Sequence, residues 1–122
     1  METQPFPVRR VYDPPTEADG VRVLVDRLWP RGVSKERAAV DEWPKAVTPS
    51  DGLRTWFHQH WDAYEEFTRR YRAELEGPEQ QDAILHLREL AAAGTVTLIT
   101  AVKDPDRSHL PTLRAVLLEG KA

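Results

Sequence analysis

A chain of 122 residues, 40% hydrophobic and 30% charged, is the size of one domain and can bury a core, which excludes wholesale disorder. It has no cysteine, so disulfides, thiolate catalysis and cysteine-based zinc sites are removed together, and a net charge of −3 argues against general nucleic-acid affinity. No apolar run approaches the ~20 residues of a membrane helix, and Met1-Glu2-Thr3-Gln4-Pro5 lacks the basic start and apolar stretch of a signal peptide, so a cytoplasmic protein is expected.

Residues 1–7 read as a flexible N-terminal tail ahead of a single domain filling the rest of 1–122. A short strand is expected at Val8-Arg9-Arg10-Val11-Tyr12, stopped by Asp13-Pro14-Pro15, because prolines donate nothing to a ladder. Gly20 then permits a turn into a stronger strand, Val21 to Leu28, whose opening is rich in β-branched residues. Ser34 is a good N-cap for a short helix to Ala39. Trp43-Pro44 and Thr48-Pro49 hold the next stretch extended, since residues before proline avoid the helical region. Ser50 caps a helix through Leu53, Trp56 and Phe57.

The clearest helical period is Trp61, Tyr64, Phe67, Tyr71 and Leu75, ended by Gly77-Pro78, with Trp61 expected in the core stripe. A further helix carries Ala83, Leu87, Leu90 and Ala91 on one face and stops at Gly94. Thr95 to Val102 is apolar or β-branched on both faces, as in a strand covered on both sides. Ser108 can cap a last helix in which Pro111 sits in the first turn and Leu113, Val116 and Leu117 face inward. Strands separated by helices require crossovers. The expected fold is therefore α/β: a small single domain with a short, mainly parallel sheet flanked by helices.

In such folds ligands bind beyond the carboxyl ends of the strands. Two expected strands end in charged pairs, Asp26-Arg27 and Lys103-Asp104, and parallel pairing of 21–28 with 95–102 would bring all four to one edge. Arg27, Trp29, Arg31, Lys45, Arg54, Lys103 and Asp104 are the candidate ligand-binding residues. Arginine's planar fork suits carboxylate or phosphate oxygens, and the helix start at Gly32-Val33-Ser34 would add free N–H groups. The competing reading pairs Arg27 with Asp104 and Lys103 with Asp26 as salt bridges that only order loops. His58, four residues after Arg54 and so on its face, and Asp26 are the candidate proton-transfer groups if the protein is an enzyme, a question the residues leave open. His58-Gln59-His60 invites a metal reading, but helical neighbours two apart do not share a face, and no metal site is assigned. Neither a Walker loop nor a Gly-x-Ser-x-Gly turn occurs, no cofactor is identified, and Trp29-Pro30 is expected trans.

Charge is unevenly spread. From Asp26 to Arg37 the bases Arg27, Arg31, Lys35 and Arg37 outnumber Asp26 and Glu36, whereas Glu65 to Glu89 is acidic overall. The lead expectation is a cleft at the carboxyl edge that takes a small phosphate-, carboxylate- or nucleotide-like anion. The alternative is a module that binds nucleic acid or a protein partner through the basic 9–37 face, with Trp29 exposed. A purely structural role for the charged motif is the third.

Val23-Leu24-Val25-Asp26-Arg27-Leu28-Trp29-Pro30-Arg31-Gly32, with Trp43, Lys45, Pro49-Ser50, Leu53-Arg54, Trp56-Phe57-His58, Tyr71, Glu74-Leu75, Thr97-Leu98 and Lys103-Asp104, resembles the YeaO-like proteins, the bacterial family of domain of unknown function 488. The resemblance runs from about Val8 to Leu118 and implies a small cytoplasmic α/β fold, with little chemistry attached. Pro44 stands where a larger apolar residue is usual and Thr100 where an aromatic is common, while His109 keeps its place.

Overall fold

The computed structural model describes residues 6–119. Three short strands, β1 (Val8–Arg10), β2 (Val21–Leu24) and β3 (Val96–Thr100), form one sheet in the order β1-β3-β2, and both pairings are parallel. Val21 stands opposite Val96 and Leu24 opposite Ile99, so the expected adjacency of the 21–28 and 95–102 runs holds. Gly20 makes the turn into β2 with φ +62, and a Cβ there would lie 2.2 Å from the Thr95 carbonyl oxygen, so the position requires glycine.

Five α-helices complete the fold among the described residues: α1 (Lys35–Ala38), α2 (Asp51–Gln59), α3 (Tyr64–Glu74), α4 (Pro78–Ala93) and α5 (Leu110–Glu119). Their starts follow the local chemistry. Ser34 accepts from Arg37 N and Ser50 from Leu53 N, each satisfying a donor that the first turn leaves free. Ser108 does the same for Leu110 N, and Pro78 opens α4 where its missing N–H costs nothing.

Alternation along the strands splits the core in two, as expected for a sheet covered on both faces. Val23, Val25, Val96 and Leu98 pack with Leu53, Phe57, Phe67, Tyr71, Ile84, Leu87, Leu113 and Leu117 from α2 to α5. Leu24 and Ile99 face the other way, into a smaller cluster with Val11, Val33 and Ala38, against which Trp29 and Trp43 pack. No helix among the described residues is long and apolar enough to cross a membrane.

Four expectations need correction. The stretch between Trp43-Pro44 and Thr48-Pro49 is not extended throughout: Lys45–Val47 forms a short 3-10 helix, and only Thr48 beyond it is extended. Residues 1–5 of the expected tail lie outside the described residues, but Phe6 is buried in the main core and the Pro7 carbonyl accepts from Leu98 N. The strands are shorter than their apolar runs: β2 stops at Leu24, because Asp26 turns its carboxylate onto the end of β3. Trp61 lies in the turn before α3, 59% exposed, so its place in the heptad-like spacing does not make it core.

Candidate functional site

The chain leaves β2 at Val25 and β3 at Thr100, side by side, and beyond those two ends opens a cleft of about 510 Å³. Asp26 is its anchor. The carboxylate accepts from the Thr100 hydroxyl at 2.6 Å through Oδ1 and from Ala101 N at 2.7 Å through Oδ2, which ties the two strand ends together. The Asp26 carbonyl accepts from the indole N–H of Trp43 at 2.7 Å. Below it, His109 at the start of α5 donates through Nε2 to the Val25 carbonyl at 2.6 Å, with Asp26 Oδ1 at 3.7 Å. Burial lowers the pKa of His109 below the ordinary histidine value, against the opposing pull of Asp26 and of the Val25 bond, so the ring is neutral near neutral pH. With Nε2 protonated, Nδ1 is left as an acceptor.

The walls are apolar. Trp29, Pro30, Pro49, Phe57, Phe67 and Val102 line the cleft, with Leu28 and Trp61 more exposed. Phe67 stacks on Phe57 at 4.2 Å between ring centroids, and Phe57 on Trp61 at 5.1 Å, so α2, α3 and the turn between them supply a run of near-parallel rings. Basic side chains also line it, Arg27, Arg54, Lys103 and Arg107 together with the imidazole of His58, against Asp104 and the already occupied Asp26. Arg27 donates to the Thr48 hydroxyl at 3.0 Å and meets Asp51, itself largely exposed, at 3.2 Å. Arg54 reaches the same Asp51 at 3.6 Å, and its Nε is enclosed with no acceptor. Arg107 donates to the Trp61 carbonyl at 3.3 Å and lies over the Tyr64 ring, 5.1 Å from its centroid. One exposed carboxylate thus serves two guanidinium groups.

Residues 5–122 match the family described as the inactive DUF488-N3 subclade. The chain belongs to that family. It is 44% identical over 101 residues to "Uncharacterized protein YeaO" of Escherichia coli (strain K12), covering 83% of this chain and 86% of the relative. It is 42% identical over 114 residues to "Uncharacterized protein Mb3100c" of Mycobacterium bovis and to "Uncharacterized protein Rv3073c" of Mycobacterium tuberculosis, covering 93% of both chains in each case. No solved structure matches.

Of the candidate residues, Asp26, Arg27, Trp29, Arg54, His58, Lys103 and Asp104 come together around the cleft. Lys45 and Arg31 do not. Lys45 turns over the Trp43 ring, 4.3 Å from its centroid, where a cation–π contact holds it outside the cleft. Arg31 is exposed in the loop that follows Trp29-Pro30, a bond that is trans. Trp29 is partly structural, donating to the Val33 carbonyl at 2.7 Å and meeting Trp43 edge-on. The loop-ordering alternative is also corrected: Arg27 pairs with Asp51 and not Asp104, and Asp26 with Thr100 and Ala101 and not Lys103. His58 and His60 diverge, His58 lining the cleft while His60 stacks on Trp56 at 4.5 Å.

Arg107, Phe57, Phe67 and His109 belong to the cleft and were absent from the sequence-derived set. A readable signal existed for Arg107, in the charged stretch Lys103-Asp104-Pro105-Asp106-Arg107 directly after β3. For His109 the one signal was that it keeps its place in the family resemblance; its role depends on the fold setting the start of α5 beside the end of β2.

Proposed function

We propose that the protein binds a small anionic ligand, phosphate-, carboxylate- or nucleotide-like, in the cleft at the carboxyl edge of its sheet, in a cytoplasmic setting. One observation carries the reading: five groups that are or can become cationic surround one apolar cleft, and of the two acids there Asp26 is spent on Thr100 and Ala101. An arginine in apolar surroundings keeps its charge and gains most from a bidentate anionic partner. Binding without turnover is the better-supported form. Asp26, the candidate proton-transfer carboxylate, is engaged on both oxygens, and the family's description calls its subclade inactive.

The alternative partner face has less support. Arg9 and Arg22 share the Asp19 carboxylate and Arg10 donates to the Ala101 carbonyl, so three bases of the 9–37 stretch are held within the fold.

Calorimetric titration with inorganic phosphate, acetate and adenosine monophosphate at constant ionic strength tests the reading. Saturable binding of at least one anion is expected, weakened about tenfold or more in Arg54→Gln, since a hydrogen bond to a charged group contributes about 1.5–3 kcal/mol. The same titration is repeated with an oligonucleotide across a salt series; affinity that is strongest for the oligonucleotide and collapses steeply with salt would favour the basic-face alternative. No saturable anion binding at all would remove the proposal.

A further inference from the structure

The cleft is built for more than an anion. Resting on the anion-binding reading above, we propose that its ligand is a planar aromatic anion whose ring stacks on the Phe67–Phe57–Trp61 run while its charged group meets the cationic lip. Three observations converge on this. A cavity of about 510 Å³ is far larger than a bare phosphate or carboxylate needs, and lies in the range of pockets that enclose whole small molecules. Its walls are rings and prolines, Trp29, Pro30, Pro49, Phe57, Phe67 and Trp61, which a bare anion would leave facing water. The stack is also open at one end: Phe67 and Phe57 are buried at 3% and 6% exposure, but Trp61, the last ring, keeps 59% of its surface.

The large apolar face of an exposed tryptophan gains by being covered, and its N–H tolerates a wet edge, so Trp61 suits a ring that lies against it. Arg107 reaches across from the turn after β3 to donate to the Trp61 carbonyl, and Arg54 and His58 lie on α2 with Phe57, so charge borders the rings. A flat ring with one anionic substituent satisfies both parts at once. An aliphatic anion of equal size would fill the space without the stacking geometry, and a neutral aromatic would bring no charge to a lip where Arg27 and Arg54 share only the exposed Asp51.

The chemistry is shared by aryl phosphates and aryl carboxylates, so the test uses both. The full-length chain is titrated at constant ionic strength with inorganic phosphate, phenyl phosphate, acetate, benzoate and phenol. At least one aryl anion is expected to bind about tenfold or more tighter than its ring-free counterpart, since burying a Phe-sized ring contributes that much or more. Phenol is expected to bind far more weakly than either aryl anion. Trp61→Ala should remove most of the gain from the ring and Trp61→Phe should restore it; the position is exposed enough for the fold to persist in both variants, which circular dichroism checks. Leu85→Ala, an exposed apolar control on α4 away from the cleft, should change nothing.

Equal affinity for ringed and ring-free anions would overturn the aromatic assignment while leaving the anion reading standing. A ring gain that survives Trp61→Ala would overturn the stacking assignment. Phenol binding as tightly as phenyl phosphate would overturn the anion reading instead, and the absence of binding by every probe would overturn both.

Discussion

Asp26 and His109 show how little a residue's type says about its use. Asp26 has the position of a catalytic carboxylate, at the tip of a strand in a cleft, yet its oxygens are the acceptors for Thr100 Oγ1 and Ala101 N. Asp26→Ala would leave those donors without partners and is expected to lower stability by about 2 kcal/mol, the cost of stranding partly buried polar groups, measured by urea unfolding. It would not abolish anion binding, because removing a negative charge beside Arg27 and Lys103 favours an anion. His109 predicts a pH dependence. Burial holds its folded-state pKa below the ordinary value of about 6.5, so below that pH the unfolded chain takes up a proton the folded chain refuses. Stability supplied by the neutral ring is complete above about pH 6.5 and is lost as pH falls from there toward the lowered folded value. The slope of melting temperature against pH in that window should be shallower in His109→Gln, whatever its absolute stability.

At the scale of elements, the sheet is held to its surroundings by a buried charge cluster that no apolar pattern announces. Arg22, inside β2 and only 3% exposed, donates to Asp19 at 2.6 Å and to the Ala38 carbonyl at the end of α1 through both Nε and Nη2. Asp19 also accepts from Arg9 on β1 and from Thr16 N. Burial pushes the Asp19 pKa up, but the bonds from Thr16, Arg9 and Arg22 outweigh it and bring the value down to about 2. Its contribution is therefore present above the ordinary carboxylate pKa of about 3.9 and is lost as pH falls toward 2. Asp19→Ala strands the Arg22 guanidinium in the interior and is expected to cost about 3–5 kcal/mol, read as a fall in the denaturation midpoint. Joint replacement of Asp19 and Arg22 by apolar residues should cost less than the single change, because no unpaired charge then remains. The start of α2 is tied to the end of α3 by a milder form of the same logic: the Glu74 carboxylate accepts from both the backbone and the hydroxyl of Ser50, the residue that caps α2.

For the whole molecule, the cleft is where β2, β3, α2, α3 and α5 meet, so a ligand there contacts elements far apart in the chain. Such a ligand stabilises the fold by mass action, about 2.7 kcal/mol at a hundred times its dissociation constant. Arg31→Gln should therefore leave both the melting temperature and its rise with added anion unchanged, because Arg31 is exposed outside the cleft. Arg54→Gln should blunt the rise. A thermal scan of the two variants with and without a binding anion separates a charge that only belongs to the motif from one that belongs to the site.

Local chemistry in the sequence determined the elements, their caps and the edge at which a site would form. β-branched runs, apolar spacings of three and four, serines before helices and glycine–proline stops act within a few residues, so they survive without knowledge of the fold. They also placed two charged pairs at neighbouring strand ends. Only the tertiary structure decided which charges meet. Arg27 found Asp51 and not Asp104, Lys45 turned onto Trp43, Arg31 pointed away, and Trp61 left the core stripe for the lip of the cleft. Past the end of a strand a side chain's direction follows the turn and whichever distant element packs there, and chemically equivalent partners cannot be ranked by spacing along the chain. His109 makes the point most sharply. It sits 84 residues from the Val25 carbonyl it holds, and only the packing of α5 beneath β2 brings the two together.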